Sequence, residues 1–580
     1  MHSIFRYLVA IIALAFGVQA SAAAVLEITV RPTFNGDSLS LDSPRYQNAA
    51  GETLSFTRLS YLLGGFAVER DDGSWLEIPG QHAWLDASKR RSVVRLENVP
   101  EGKYRALRFH VGPDGLANAA DPATLPADHP LNANLNGLHW SWQGGYIFMA
   151  IEGYFRAGTA EPRGYGYHLA RDPNRTRVNL TSPLDLTHDT GVRLDFDLAT
   201  LLNAPSPLSF DRDGTATHSR DGDPIAAALV TNLPGAFRVA QVVSAAPAIS
   251  RPAPVKPIDL PETFTPYRFT MSRTFPVPDL PRDNPLIQER VSLGEKLFHE
   301  KSLSRDGSIS CATCHLADAA FSDRLPVSNG IGGRRGDRNA MPLFNLAWKR
   351  EFFWDGRARS LREQVLMPIQ DHREMDESLE RVCEKLTAVA DYPPLFRAGF
   401  GSGGITPENL ALALEQFLLT LTARDAKFDR ALGGKATLTD EEKRGFELFM
   451  TESEPRTGQL GADCFHCHGG VLFSDHQFHN NGLDGDAPGR AHVTRLPADE
   501  RKFSTPSLRN VALTGPYMHD GRFATLEEVV EHYSTGIHRS PTLDPNLAKH
   551  PGAGLNLAAA DKAALVAFLK TLTDEKTPAP

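Results

Sequence analysis

The chain contains no block of lysine and arginine, and its formal net charge is −9 over 580 residues. Both features argue against a nucleic-acid partner, which needs a basic surface. The chain also lacks the apolar content of a polytopic membrane protein, because 41% of its residues are hydrophobic and 23% are charged. These values also argue against general disorder. A chain of this length is expected to form roughly two to four domains.

Cysteine is scarce, with five residues in the whole chain, and four of them belong to two copies of the motif C-x-x-C-H. The copies consist of Cys311, Cys314 and His315, and of Cys464, Cys467 and His468. In this motif the two thiols bond to the vinyl groups of a c-type haem, and the histidine is the proximal iron ligand. A zinc or disulfide C-x-x-C beside a chance histidine is the alternative. Two copies, each preceded by a glycine and a Leu-Phe pair, favour two haem groups.

The fifth cysteine, Cys383, lies on the apolar side of a predicted helix, and we interpret it as a buried, inert thiol.

The N-terminus has the pattern of a secretory signal. Arg6 precedes an apolar run from Tyr7 to Val18, and small residues follow at Ala20 and Ala22. The pattern predicts a signal peptide over residues 1–24, because the run is short for a membrane span. Bacterial cytochrome c maturation takes place outside the cytoplasmic membrane. We therefore expect a periplasmic protein without a membrane span after cleavage.

Residues 25–243 have a strand pattern. Leu26, Ile28 and Val30 alternate with polar residues, turn signals recur, and no long helical period intervenes. This predicts an N-terminal all-β, sandwich-like domain. Residues 244–285 are rich in proline and predict an extended linker with little structure of its own.

The second half of the chain has a helical pattern that occurs twice. A predicted helix over 286–300 leads to the first C-x-x-C-H, and another covers 410–421 after a proline at its first turn. Thr439 and Glu442 form a capping-box pattern before the second copy, and a final helix is predicted over 558–572. This duplication predicts two mainly α, cytochrome c-like domains, at residues 286–435 and 436–580.

Three segments add a family resemblance to this pattern. They are residues 294–315, the run Phe-Phe-Trp-Asp-Gly-Arg at 352–357, and Leu-Arg-Asn-Val at 508–511 followed by Pro-Tyr-Met-His-Asp-Gly at 516–521. With them, residues 283–575 resemble the bacterial dihaem cytochrome c peroxidase and MauG superfamily. The resemblance implies two covalently bound haem c groups, a calcium ion and hydrogen peroxide as substrate.

The resemblance also assigns roles to four residues in and near the first haem domain. It places Trp354 between the two haems and makes Glu374 the distal acid that moves peroxide protons, with Gln364 and Pro368 lining the same pocket. Judged from the residues alone, Trp354 would be a core aromatic and Glu374 a solvated helix residue. A carboxylate over an open iron would promote cleavage of the O–O bond.

The calcium ion of the family would be bound by Asn339 and by the backbone carbonyls of Thr514 and Pro516. Oxygen ligands suit such a hard cation.

Two positions differ from an ordinary dihaem peroxidase. Tyr533 occupies the register of the axial methionine of the second haem, as in MauG and in the MbnH enzymes. Met518, His532 or His538 could bind that iron instead. A phenolate stabilises higher iron oxidation states than a thioether does. Residues 327–333 contain no distal histidine, which indicates a first haem open to peroxide.

The N-terminal half resembles MbnP-like copper proteins through residues 130–146 and 165–169. In that group a tryptophan is oxidised to kynurenine and helps histidines to bind copper. The resemblance implies Trp140 or Trp142 as the oxidised residue and His82 and His168 as copper ligands.

On the residues alone, two tryptophans on one face of a strand can both be core residues, and each histidine has a non-ligand interpretation. His139 is a weaker ligand candidate, and we interpret His110 as a surface residue.

Three functional hypotheses follow from these features. The first is a secreted dihaem oxidase that uses hydrogen peroxide to oxidise a tryptophan of its own or of a partner MbnP-like domain. The second is a conventional peroxidase that takes electrons from a small cytochrome or cupredoxin. The third is a copper-binding protein whose haems only relay electrons.

Overall fold

The computed structural model describes residues 23–140, 145–243, 260–454 and 458–575. Most of the predicted signal peptide, Trp142 and the first part of the predicted linker lie outside the described residues. Three hydrophobic cores follow one another along the chain. The first is built from residues 24–237, the second from 275–421 together with Leu472, and the third from 428–572.

The first core lies between two β-sheets. Their strands are β1 (Ala23–Phe34), β2 (Asp37–Ser38), β3 (Tyr46–Gln47), β4 (Thr53–Glu69), β5 (Trp75–Asp86), β6 (Val93–Pro100), β7 (Lys103–Val111), β8 (Ile147–Arg156), β9 (Arg163–Ala170), β10 (Thr176–Asp185), β11 (Thr190–Asp197), β12 (Ala216–Thr217) and β13 (Phe237–Val243). One sheet has the order β13-β11-β1-β2, with β6 also paired to β1. The other has the order β10-β7-β4-β8-β9-β12, with β3 and β5 paired to β4. Strands β1 and β11 are parallel.

The alternation seen in the sequence decides which faces meet. Leu26, Ile28 and Val30 of β1 are buried, while the residues between them are partly exposed. The ring centroids of Tyr61 in β4 and Phe196 in β11 lie 5.2 Å apart, so the sheets share one core. The prediction of a β-rich, sandwich-like N-terminal domain is confirmed.

This domain also contains helices that the sequence pattern did not indicate. They are α1 (Gly115–Ala119), α2 (Ala133–Asn136), α3 (Leu198–Asn203) and α4 (Pro224–Ala236). Asp223 caps helix α4, because its side chain accepts hydrogen bonds from the backbone N–H groups of Ile225 and Ala226. Pro224 occupies the first helical position. Its sequence is apolar almost throughout, so no polar face marks a helical period.

The second half of the chain is mainly helical, as predicted. Its helices are α5 (Gln288–Phe298), α6 (Cys311–Cys314), α7 (Leu361–Gln364), α8 (Met367–Gln370), α9 (Leu379–Ala388), α10 (Tyr392–Phe400), α11 (Pro407–Thr420), α12 (Lys427–Leu432), α13 (Asp440–Phe449), α14 (Ala491–Thr494), α15 (Leu526–Thr535), α16 (Pro545–Ala548) and α17 (Ala559–Lys570). Two short strands, β14 (Phe478–His479) and β15 (Phe503–Ser504), pair with each other. Cys383 in α9 is half-buried rather than buried.

Matching glycines set the same helix crossing in both haem domains. A Cβ atom on Gly294 of α5 would overlap the carbonyl oxygen of Ala413 in α11. A Cβ atom on Gly445 of α13 would overlap the carbonyl oxygen of Ala564 in α17. Only glycine allows backbones to approach so closely. The crossing repeats because the helix, haem motif and closing helix repeat.

The described part of the predicted linker, residues 260–285, contains no helix or strand. It packs against the first haem domain all the same. Phe275 is fully buried with its ring centroid 5.3 Å from that of Trp348, and the indole N–H of Trp348 donates to the carbonyl of Pro276 at 2.7 Å. The segment thus has little regular structure of its own and also extends the core of that domain.

The β domain rests on the second haem domain along strand β9. A Cβ atom on Gly164 would overlap the carbonyl oxygen of Pro545 in α16, and a Cβ on Gly166 would come within 3.0 Å of Asn546 Oδ1. The strand and the helix thus meet at backbone distance. Among the residues that the structure describes, no helix is long and apolar enough to cross a membrane.

Candidate functional site

The two C-x-x-C-H histidines are held in the same way. His315 Nδ1 lies 2.9 Å from the carbonyl oxygen of Phe321, and His468 Nδ1 lies 3.1 Å from that of Phe473. Because a carbonyl can only accept, each Nδ1 donates and each Nε2 keeps its lone pair. This is the tautomer that binds iron, with the other nitrogen oriented by a second partner.

Each of these carbonyls belongs to a residue with positive φ, which orients the carbonyl toward the histidine. Phe321 has φ of 58° and Phe473 has φ of 52°. The left-handed region costs a non-glycine residue about 1–2 kcal/mol. Both rings are buried, which offsets that cost. The sequence signal for this arrangement is an aromatic residue five or six positions after each motif.

The cysteines of both motifs fit thioether formation. All four are free of disulfides. Burial raises the pKa of Cys311 to about 12 and that of Cys314 to about 11. With the histidine tautomers, these residues fit two covalently attached haem c groups.

Glu374 lies in a turn packed against the histidine-free loop at 327–333. The N–H of Ile331 donates to the carbonyl of Glu374 at 2.8 Å, and a Cβ on Gly330 would lie 2.8 Å from its Cα. Burial, followed by the charge of Asp371, raises the pKa of Glu374 to about 7. Its charge also contributes, after burial, to the raised pKa of Cys311 in the first haem motif. The solvated helix residue inferred from sequence alone is thus a largely buried acid.

The two residues predicted to share the Glu374 pocket lie just before it. Gln364 ends α7, Pro368 lies in α8, and both are half-buried. The N–H of Met375 donates to the carbonyl of Pro368 at 3.2 Å. This bond folds the Glu374 turn back onto α8.

Trp354 joins the two haem domains. Its indole N–H donates to the carbonyl of Asn339 at 2.8 Å, and its own carbonyl accepts from the N–H of Ser504 in the second haem domain at 2.8 Å. Only 8% of Trp354 is exposed, so this residue is buried where its backbone meets the second haem domain.

Asn339 also reaches the second haem domain, because its N–H donates to the carbonyl of His519 at 2.9 Å. Its side-chain amide donates to the carbonyl of Pro326 at 3.2 Å. The calcium site at Asn339, Thr514 and Pro516 stays a prediction.

Tyr533 of α15 and Met518 share one polar neighbour. Asn481 Nδ2 lies 3.3 Å from Tyr533 Oη and 3.4 Å from Met518 Sδ. Burial raises the pKa of Tyr533 to about 12, although the hydrogen bond from Asn481 acts to lower it. Of the alternatives, His532 Nε2 is 3.0 Å from the carbonyl of Asn481, to which it donates, and His538 is exposed. Tyr533 as the axial ligand of the second haem stays a prediction, with Met518 beside it as the alternative.

Three histidines converge where the β domain meets the second haem domain. His168 lies in β9, His218 follows β12, and His466 lies between the two cysteines of the second motif. One ring nitrogen of each lies within 4.8 Å of the others. Sequence reasoning found His168 and missed the other two. His466 could have been noticed, because the first motif has Thr313 at the same position.

The other predicted ligand, His82, does not join this cluster. The strand register places it three strands away from His168 and four residues further along, or about 20 Å. Its ring centroid lies 5.9 Å from that of His129. His110 is half-buried rather than a surface residue, and burial lowers its pKa to about 4.

Trp140 lies beside the three histidines, with its ring centroid 5.4 Å from that of His218. A cavity of about 320 Å³ opens next to it between the two domains. His139, Trp140, His168 and His466 are among its lining residues. Trp142, the other candidate for oxidation, lies outside the described residues.

Comparison with known proteins agrees with this arrangement. A family model described as di-haem cytochrome c peroxidase matches residues 288–437, and the MbnP family model matches residues 23–219. The methylamine utilization protein MauG of Methylorubrum extorquens is 41% identical over 300 residues, which cover 51% of this chain and 81% of that protein. This chain belongs to the dihaem cytochrome c peroxidase and MauG family. The family makes it a peroxidase-type oxidoreductase and implies two haem c groups.

Two further proteins are each similar to about half of this chain. The cytochrome c551 peroxidase of Pseudomonas aeruginosa is 32% identical over 308 residues, covering 51% of this chain and 82% of that protein. A solved structure described as a MauG-like protein associated with microbial copper homeostasis is 35% identical, with a TM-score of 0.48, and covers 53% of this chain and 96% of that chain.

Replacement of Tyr533 tests which residue completes the second haem site of this MauG-family protein. We expect Tyr533→Phe to change the ferric absorption and electron paramagnetic resonance spectra of one haem, because an anionic oxygen ligand is lost. Met518→Leu is the matched control and should leave both spectra unchanged. The reverse pattern would assign the iron to Met518.

Proposed function

We propose that this protein uses hydrogen peroxide to oxidise Trp140 of its own β domain to kynurenine. The position of Trp140 carries the proposal. Its ring lies 5.4 Å from that of His218, and His218 lies 5.2 Å from His466 and 5.5 Å from Phe465, both within the second haem motif. Only 8% of Trp140 is exposed, so an oxidant reaches it more directly through the protein than from solvent.

Glu374 is the residue that would handle the peroxide protons. Haem c bound at His315 would supply the redox chemistry that cleaves the O–O bond. Glu374 would accept a proton from one peroxide oxygen and deliver it to the leaving oxygen. A pKa of about 7 suits both steps, because the carboxyl exchanges protons readily near neutral pH. Gln364 and Pro368 would confine the peroxide beside it.

Trp354 would pass electrons between the two haem domains. Its indole donates to Asn339 of the first haem domain, and its backbone carbonyl accepts from Ser504 of the second. Beyond the second motif, the ring of His218 lies between Phe465 and Trp140. Electrons leaving Trp140 would thus cross short distances between packed rings.

The oxidation balances with two molecules of peroxide. The indole C2–C3 bond is cleaved with loss of four electrons, and each of these two carbons gains an oxygen atom. Tryptophan and two hydrogen peroxide molecules give N-formylkynurenine and two water molecules. Hydrolysis then releases formate and leaves the aromatic amine of kynurenine.

Copper binding, a calcium ion and export to the periplasm are the remaining parts of the proposal. Kynurenine beside buried imidazoles would help to bind copper, which accepts nitrogen ligands readily. A calcium ion at Asn339 would steady the contact between the haem domains. Export to the periplasm would allow haem attachment, in agreement with the signal pattern at the N-terminus.

A conventional cytochrome c peroxidase, reduced by a small cytochrome or cupredoxin, is the second candidate. It is favoured by Met518, whose sulfur lies 3.4 Å from the same Asn481 amide that contacts Tyr533. A methionine ligand gives a haem of higher potential, which accepts electrons from such donors.

Glu374→Gln tests the peroxide chemistry. In the unsubstituted protein, the rate of reaction with peroxide should rise as the pH passes upward through about 7, because the carboxylate is the form that accepts the proton. The variant should react about 10²–10⁴-fold more slowly and lose this rise. Stopped-flow absorption of the haems measures both.

Glu380→Gln, an exposed change on α9, is the control and should match the unsubstituted protein. Unchanged peroxide reactivity in Glu374→Gln would refute the assigned role and favour haems that only relay electrons.

Peptide mass spectrometry after peroxide treatment tests the tryptophan chemistry. We expect kynurenine at Trp140 in the full chain, none in Glu374→Gln, and none at the partly exposed Trp75 of β5 in either. Gly164→Val should slow the oxidation at least about tenfold while peroxide still reacts, because the new side chain separates β9 from α16. Unmodified Trp140, or equal oxidation of Trp75, would contradict the proposal.

A further inference from the structure

The histidine cluster joins two domains and three segments that are far apart in sequence. His168 and His218 come from the β domain, whereas His466 comes from the second haem motif. The side chains of His168 and His466 are 3% exposed, and that of His218 is 11% exposed. The cluster is therefore closed off from solvent only while the two domains are docked.

Each histidine uses its outer nitrogen to contact a carboxylate. His168 Nε2 lies 3.0 Å from Glu152 Oε1, His218 Nδ1 lies 3.2 Å from Glu452 Oε2, and His466 Nε2 lies 2.9 Å from the same oxygen of Glu452. An ionised carboxylate can only accept, so His168 Nε2 donates to Glu152 and His466 Nε2 donates to Glu452. Histidines that bind metals are oriented by carboxylates in this manner.

The inner nitrogens of His168 and His218 face each other. His168 Nδ1 and His218 Nε2 are 3.3 Å apart. His168 donates through Nε2 to Glu152, so its Nδ1 carries a lone pair. When the proton of His218 is on Nδ1, which lies 3.2 Å from Glu452, both inner nitrogens have lone pairs and a cation fits between them. Two nitrogens each about 2.0–2.1 Å from a tetrahedral metal ion are themselves about 3.3 Å apart.

The charge around the cluster also favours a cation. Three buried carboxylates, Glu152, Glu452 and Asp463, are matched by two buried cations. Arg58 lies 2.9 Å from Glu152, and Lys549 contacts Glu452 and lies 3.2 Å from Asp463. With neutral imidazoles, this set carries one excess negative charge.

We propose that His168, His218 and His466 form a metal site for a d¹⁰ cation, Cu(I) or Zn(II), that closes between the β domain and the second haem domain. Imidazole nitrogens suit both ions. The site rests on the proposed function only for the expectation that copper is the resident ion, because the three imidazoles are present whether or not Trp140 is oxidised. The ion holds the domains together and lies beside the second haem motif, since His466 separates Cys464 from Cys467.

Equilibrium dialysis of the full haem-containing protein against buffered Cu(I), and separately against buffered Zn(II), tests this site. Bound metal is counted against haem iron, before and after peroxide treatment. We expect one tight equivalent per chain and at least an about tenfold weaker affinity in His466→Ala and in His168→Ala. Glu152→Gln, which keeps all three ligands, should weaken binding about 10–100-fold.

His188→Ala and His492→Ala replace exposed histidines of the same two domains and should bind as the unsubstituted protein does. X-ray absorption of the bound metal should show three imidazole ligands, and two in His466→Ala. Unchanged affinity in His466→Ala, before and after peroxide, would overturn the proposal by confining the metal to the β domain. Absence of a tight equivalent in both states would overturn it as well.

The mass of the Trp140 peptide, measured on the same samples, reports separately on the proposed function. Metal binding without oxidation of Trp140 would support the site and refute the oxidation.

Discussion

The buried carboxylate of Glu452 is the interaction on which the arrangement of this protein depends. A buried charge costs several kcal/mol unless it is paired and hydrogen-bonded. Glu452 meets Lys549 and His466 from its own domain and His218 from the β domain. His218 of the β domain thus completes the set of partners around a carboxylate that belongs to the second haem domain. This contact holds Trp140 and His168 against the second haem motif.

The close approach of β9 to α16 stabilises the same position of the β domain on the second haem domain. Gly164 and Pro545 meet at backbone distance, which no larger residue at position 164 would allow. A specific polar cluster and a glycine contact together define one docked geometry. The fused β domain is therefore held at the second haem domain, and Trp354 connects that domain to the first one, where Glu374 lies.

The two haem domains share a scaffold and differ in their chemistry. Gly294 and Gly445 set equal helix crossings, and the carbonyls of Phe321 and Phe473 orient both proximal histidines. The difference lies in the residues around each motif. Glu374 is a largely buried acid packed against the loop at 327–333 in the first haem domain, whereas Tyr533 and Met518 share Asn481 as a neighbour in the second. The duplication explains the fold, and these differences support the proposal of a peroxide site in the first haem domain.

Local patterns in the sequence were enough to predict the haem motifs, the duplicated helices and the β-rich domain. Helix α4 was not predicted, because its residues are apolar on nearly every side and show no helical period. The raised pKa of Glu374 could not be read from its neighbours, since it comes from burial under the loop around Gly330. His218 and His466 were missed for a related reason. Only docking of the domains brings residues this distant in sequence together, and no local period records it.

Oxidation of each β domain by the haems of its own chain predicts a definite kinetic order, which can be measured directly. The rate of kynurenine formation at Trp140 can be followed at several protein concentrations with saturating peroxide. A first-order rate constant that does not change with protein concentration is the result this account predicts. A rate constant that rises in proportion to protein concentration would show that the β domain is oxidised by another molecule, and would contradict it.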